Sequence, residues 1–131
     1  MKMIEEKKVS ELMTHGTVSV PLDDTVADVV RVLAEGRVHG VVVTSKTGEA
    51  VGVISEIDIV KALGRDFNKI KVQEIMTPDV VFVSPQMSVK EAAGIMAQKH
   101  ISRLFVVDEK KRPRGVFSIT DLINEIEQAI I

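Results

Sequence analysis

Two short segments of this 131-residue chain combine residue types at a spacing suited to holding a ligand. Residues 52–58 read GVISEID and residues 115–121 read GVFSITD, so Gly, Ser and Asp recur in the same order. Each segment lies where an apolar run gives way to a helix-like pattern. A helix N-terminus has unpaired N–H groups and the positive end of the helix dipole, so it accepts anions. A serine hydroxyl there can bond a phosphate or sugar oxygen. An aspartate one turn in can accept from both hydroxyls of a ribose, as acidic residues do in dinucleotide folds. The glycine lets a ligand or another backbone come close. The same residues also form capping boxes, Ser55 with Asp58 and Ser118 with Asp121, each worth about 1 kcal/mol with no ligand at all. Thr25 with Asp28 and Ser88 with Glu91 share the box without the glycine. Capping is therefore the simpler local reading, and the two roles are compatible.

Other chemistry finds little support. Cysteine is absent, which removes disulfides, thiolate catalysis and thiolate zinc sites. His15, His39 and His100 show no metal-ligand spacing, so no metal site is expected. No phosphate-binding Walker loop, nucleophile elbow or paired catalytic carboxylates occur, so no catalytic residue is assigned. The basic turn Lys110-Lys111-Arg112-Pro113-Arg114 is flanked by Asp108 and Glu109 and reads as a solvated hairpin loop.

Composition narrows the class further. The chain is 45% hydrophobic and 27% charged, as expected of a globular protein, with a net charge of −2. Trp and Tyr are missing and only four Phe are present, which leaves little for stacking nucleic-acid bases. Nucleic acid is accordingly not expected as a partner. No apolar run nears the roughly 20 residues of a membrane span and no signal-peptide core opens the chain, so a cytoplasmic protein is expected.

An internal repeat supplies the elements that must position these residues. A shift of 63 lays residues 9–63 over 72–126 without a gap, placing VSELMT on VQEIMT and GVISEID on GVFSITD. Thr17–Val20 and Val80–Val83 read as strands. Helices follow from Thr25 to near Gly36 and from Ser88 to before Ser102. Val41–Val43 and Leu104–Val107 are near-continuous apolar runs, the pattern of strands buried on both faces. Polar turns then lead to strands Val51–Ile54 and Gly115–Phe117, and to helices starting at Ser55 and Ser118. Each repeat is thus βαββα, with 64–71 as a linker. Half of such a chain is marginal alone. An α/β (α+β) fold is expected, with the two repeats packed by pseudo-two-fold symmetry into one module. The C-terminal stripe Leu122, Ile123, Ile126 and Ile130 would cover the sheet or pair with a second subunit.

The duplication, the ELMT/EIMT openings, the VVV/FVV strands and the paired G-V-x-S-x-x-D segments resemble a tandem pair of cystathionine-β-synthase (CBS) domains, a Bateman module. The resemblance covers residues 9–126 and implies a stand-alone regulatory module, not an enzyme. Its implied ligand is an adenosine compound (AMP, ADP or ATP, with S-adenosylmethionine or NAD as further options) bound in the cleft between the repeats. It also implies a homodimer and signalling by conformational change to a regulated protein. The alternative is a structural or oligomerisation module with no ligand. By the resemblance, Asp58 and Asp121 would bond ribose, and Ser55, Ser118 and Thr120 would contact ribose or phosphate. Val53 and Val116 would pack on adenine, and Thr14 and Thr77 would line the pocket mouths. Arg103 would reach phosphate, and His39 would do so only when protonated. The chain departs from the family pattern at Val42 and Phe105, where many members have proline. Repeat one also has Glu56-Ile57 where repeat two has Ile119-Thr120, which makes the Asp121 site the expected stronger one.

Overall fold

The centre of each sheet is an apolar run that alternation could not have produced. In the computed structural model, which describes residues 3–36 and 38–130, Val41, Val42 and Val43 are fully buried, and Leu104, Phe105 and Val106 are nearly so. Burial on both faces, at about 1.5–3 kcal/mol for each side chain, is the main local force holding these strands. The result is an α/β fold with two sheets and five α-helices among the described residues. None of these helices is long and apolar enough to cross a membrane.

The chain divides into two compact units. One runs from Thr17 to Val80. Its sheet has the order β2 (Ser19–Pro21), β3 (Gly40–Thr44), β4 (Ala50–Ser55). β2 and β3 are parallel, so the chain must cross over between them, and it does so through α2 (Val26–Ala34). β3 and β4 form an antiparallel hairpin, and α3 (Glu56–Lys61) leaves directly from the end of β4. Val20, Val29, Val41, Val43, Ile54 and Val72 form the core. The 64–71 stretch closes onto the start of α2, where the Val26 and Ala27 amides donate to the Ile70 and Phe67 carbonyls.

The other unit combines the N-terminal segment through Gly16 with the chain from Val81 onward. Its sheet has the order β1 (Thr14–His15), β7 (Pro113–Ser118), β6 (Arg103–Val107), β5 (Phe82–Val83). α4 (Val89–Lys99) makes the parallel crossover and α5 (Ile119–Ile130) follows β7. A short helix, α1 (Val9–Leu12), places Val9 in the core with Leu104, Val106 and Phe117.

The expected helices and strands are present with ends moved by one to three residues. The short β1, α1 and the 3-10 turn Val72–Glu74 are additions. Ser88 caps α4, its hydroxyl accepting from the Glu91 amide at 3.1 Å. The Thr25 box does not form, since that hydroxyl makes no capping bond. α4 ends on His100 in the left-handed region (φ 54°), a C-cap that supports the expected stop before Ser102. The C-terminal stripe divides: Leu122 packs on the core, whereas Ile123, Ile126 and Ile130 stay exposed.

Packing units and sequence repeats are out of phase. β1, from the opening of the first repeat, pairs with β7 of the second, setting Thr14 opposite Val116. Reciprocally, Thr77 from the opening of the second repeat bridges Val53 of the first, its amide donating to the Val53 carbonyl at 2.9 Å. Each repeat's opening segment therefore completes the other repeat's sheet.

Candidate functional site

The exchange explains the two glycines. A Cβ on Gly52 would lie 2.8 Å from the Thr77 carbonyl oxygen and 3.0 Å from the Met76 sulfur. On Gly115 it would lie closer still to the Thr14 carbonyl, with the Met13 sulfur at 3.2 Å. Of the two uses a glycine permits here, these serve the approach of another backbone.

In the Thr17–Val80 unit, Asp58 lies in the first turn of α3 and is 9% exposed, the buried charged residue among those described. Its Oδ2 accepts from the Ser55 amide at 2.9 Å and from the Ser55 hydroxyl at 3.2 Å. Its Oδ1 accepts from the Thr77 hydroxyl at 3.1 Å. Three donors offset the loss of water around a buried carboxylate. The exposed His39 sits 3.3 Å from the Glu56 carboxylate, at the first position of α3. The residue directly across the ladder from Ser55 is Gly40. Among the described residues, this helix start thus carries two carboxylates, Glu56 and Asp58.

The counterpart on α5 has different electrostatics. Asp121 is only half-buried. The Ser118 amide donates to its Oδ2 at 2.9 Å, and the Asp121 amide donates back to the Ser118 hydroxyl at 3.1 Å, a reciprocal capping box. Thr14 reaches Oδ1 at 3.3 Å. Directly across the ladder from Ser118 stands Arg103, so the two side chains share a sheet face. Arg103 is half-buried and forms no ion pair among the described residues. Thr120 is exposed in the first turn of α5. This end offers one carboxylate, one guanidinium without an ion pair among the described residues, and the hydroxyls of Ser118, Thr120 and Thr14, while the Ile119 and Asp121 amides are already taken by the Ser102 carbonyl and the Ser118 hydroxyl.

Val53 and Val116 lie on the strands that lead into these helices. Val53 is buried opposite Val42, and Val116 is half-buried opposite Phe105. The departures at Val42 and Phe105 therefore flank the two valines directly. The structure brings Thr77, Ser55 and Asp58 together in one unit, and Thr14, Ser118 and Asp121 in the other. It brings Arg103 beside Ser118, and pairs His39 with Glu56. The pairing of His39 with Glu56 and the backbone role of the glycines were not legible in the spacing. The recurrence of Met-Thr at 13–14 and 76–77 was the available signal for the exchanged segments. No cluster of His, Asp or Glu suited to a metal occurs among the described residues.

Comparison with known proteins supports the assignment of these elements. The family model described as CBS domain matches twice, at residues 9–65 and 72–128. An uncharacterized protein of Methanocaldococcus jannaschii is 37% identical over 124 residues, covering 92% of this chain and 45% of its own length. The chain thus spans less than half of that relative. Among solved structures, the cytosolic domain of the Mg2+ channel MgtE in complex with ATP is 31% identical with a TM-score of 0.79, over 93% of this chain and 50% of that one. CBSX2 in complex with AMP superposes with a TM-score of 0.81 over 92% and 97% of the two chains, a likeness of fold at 23% identity. With both repeats matched and the paired Ser–Asp helix starts in place, the chain belongs to the CBS domain family.

Proposed function

We propose that this chain is a cytoplasmic, non-catalytic regulatory module that binds an adenosine-containing ligand, with AMP, ADP and ATP as the leading class. The observation that carries the reading is the end of β7, where Asp121, Ser118, Thr120 and the unpaired Arg103 converge on one helix start. Asp121 is the acceptor for the ribose hydroxyls. Ser118, Thr120 and Arg103 take the phosphate oxygens, and Val116 with Phe105 offers the apolar surface for adenine. Thr14 sits at the mouth. In the Thr17–Val80 unit, Asp58, Ser55, Thr77, Val53 and His39 are the matching set. There Glu56 opposes phosphate, which favours the Asp121 site. Support also comes from the MgtE cytosolic domain, 31% identical and solved with ATP.

Signalling requires that the ligand bind two conformations with different affinity. The exchanged β1 offers such a route, because Thr14 touches the same Asp121 carboxylate that would hold ribose. A homodimer formed through the exposed Ile123, Ile126 and Ile130 of α5 is part of the same reading, with a regulated protein as the recipient of the signal.

Calorimetric titration with AMP, ATP, S-adenosylmethionine and NAD tests the ligand class. Saturable binding to at least one is expected. A folded chain that binds none of them would favour a structural module. The full occupation of Asp58 by its own unit is the observation on that side.

A further inference from the structure

The β6–β7 hairpin, residues 108–114, plays no part in the site above. Its sequence flanks the cations with two carboxylates, but the geometry spends one of them on the turn itself. The Asp108 carboxylate is folded into the loop, where Oδ1 accepts from the Lys110 and Arg112 amides at 2.9 and 3.0 Å. Oδ2 accepts from the Arg114 guanidinium at 2.9 Å. The Asp108 side chain is 21% exposed, against 58% for its partner Arg114. The Arg112 amide, then the Lys110 amide and the Arg114 guanidinium, hold its carboxyl below the usual carboxylate range. The negative charge is thus consumed in shaping the turn. Lys110, Lys111 and Arg112 have no ion-pair partner among the described residues, and Glu109 alone opposes them.

The duplication supplies an internal control. The equivalent turn of the first repeat, SKTGEA at 45–50, has one lysine and one glutamate. Where that turn has Thr47, Gly48 and Glu49, the second has Lys110, Lys111 and Arg112. Gly48 adopts φ 86° and Lys111 adopts φ 62°. A lysine therefore occupies a left-handed position that glycine holds more easily, so the basic residue is not there for the turn's sake. The hairpin carries four cations and two carboxylates, +2, so a chain of net −2 carries −4 elsewhere. Asp108, Glu109, Lys110, Arg112 and Arg114 surround an open recess of about 470 Å³.

We propose that this hairpin is a docking surface for a short acidic segment of a protein partner. A turn already fixed by Asp108 loses little freedom on binding, and Arg112 can engage a carboxylate through two parallel bonds. A nucleic acid fits less well. The basic residues span only Lys110 to Arg114 in a chain of net charge −2, and residues 108–114 include no aromatic side chain on which a base could stack.

The test is fluorescence anisotropy of a labelled ten-residue glutamate peptide with the full chain, beside a ten-nucleotide single strand. Saturable peptide binding is expected, weakened about tenfold or more by K110E/K111E/R112E and several-fold by the milder K110Q/R112Q. It should fall as salt rises and be unchanged in K46E, the matching turn of the first repeat. Nucleotide titration of the same variants should be unaltered, which separates failure here from failure of the adenosine site. Equal peptide binding by the parent and the triple variant, an equal loss in K46E, or tighter binding of the oligonucleotide would each overturn the proposal.

Discussion

The Thr77 hydroxyl donates to the Asp58 carboxylate at 3.1 Å, and Thr14, its equivalent 63 residues earlier, does the same to Asp121 at 3.3 Å. In both pairs the threonine comes from one sequence repeat and the aspartate from the other. The residues that resemble a ribose site are therefore also those that fasten the exchanged opening segments. The proposed ligand chemistry and the tertiary linkage share one carboxylate at each helix start.

The fastening predicts unequal responses to adding a methyl group at glycine. Gly52→Ala and Gly115→Ala should each destabilise the chain by roughly 1–3 kcal/mol, because the new Cβ meets a backbone carbonyl that cannot move alone. Gly94→Ala lies inside α4 with open space around it and should stabilise by about 0.5–1 kcal/mol. Urea denaturation of the three variants checks the ordering. Equal effects at Gly94 and Gly115 would contradict it.

Capping should be separable from binding. Ser88→Ala removes the bond from the Glu91 amide, at about 1 kcal/mol, with nucleotide affinity unchanged. Ser118→Ala should lose a similar amount of stability and also weaken binding, since its hydroxyl lies beside Arg103 on the proposed phosphate side. Thermal melts with and without ATP would separate the two effects. A loss of stability without a loss of ATP protection in Ser118→Ala would mark that serine as a cap alone.

Arg103→Gln should lower ATP affinity about tenfold or more, by removing an unpaired guanidinium with charge-assisted bonds to offer. His39→Gln should change it little at neutral pH, because His39 is exposed and faces Glu56. The reverse ranking would move the phosphate to the Thr17–Val80 unit.

The hairpin carries a pH signature. The Asp108 carboxyl is held below its ordinary value of 3.8 by the Arg112 amide first, then by Lys110 and Arg114. Its folded-state value is depressed, so its contribution to stability is present above about pH 3.8 and is lost as the pH falls through the lower folded value. A carboxyl NMR titration should give a midpoint below 3.8. The stability gap between the parent and Asp108→Asn should shrink on acidification. A midpoint at or above 3.8 would contradict the turn geometry.

Much of this architecture was legible because the repeat doubles every signal. The apolar runs at Val41 and Leu104 and the boxes at Ser55, Ser118 and Ser88 mark strands and helix starts through local chemistry. Thr25 shows the limit of that chemistry. Its box is present in sequence, but the Asp24 carboxylate accepts from the Thr25 amide and the hydroxyl caps nothing. The exchange of opening segments was not legible. β1 has two residues, too few for any periodicity, and its partner lies about 100 residues away. The placement of Arg103 across from Ser118 and the inward turn of Asp108 are likewise facts of three-dimensional pairing.

The central claim is an adenosine ligand held at Asp121 in preference to Asp58. Its most direct test is calorimetric titration of ATP and AMP into the parent chain, Asp121→Asn and Asp58→Asn, with each variant's fold checked by its melt. The account predicts saturable binding that falls about tenfold or more in Asp121→Asn and largely survives in folded Asp58→Asn. Binding abolished by Asp58→Asn and untouched by Asp121→Asn, or no binding by a folded parent chain, would contradict it.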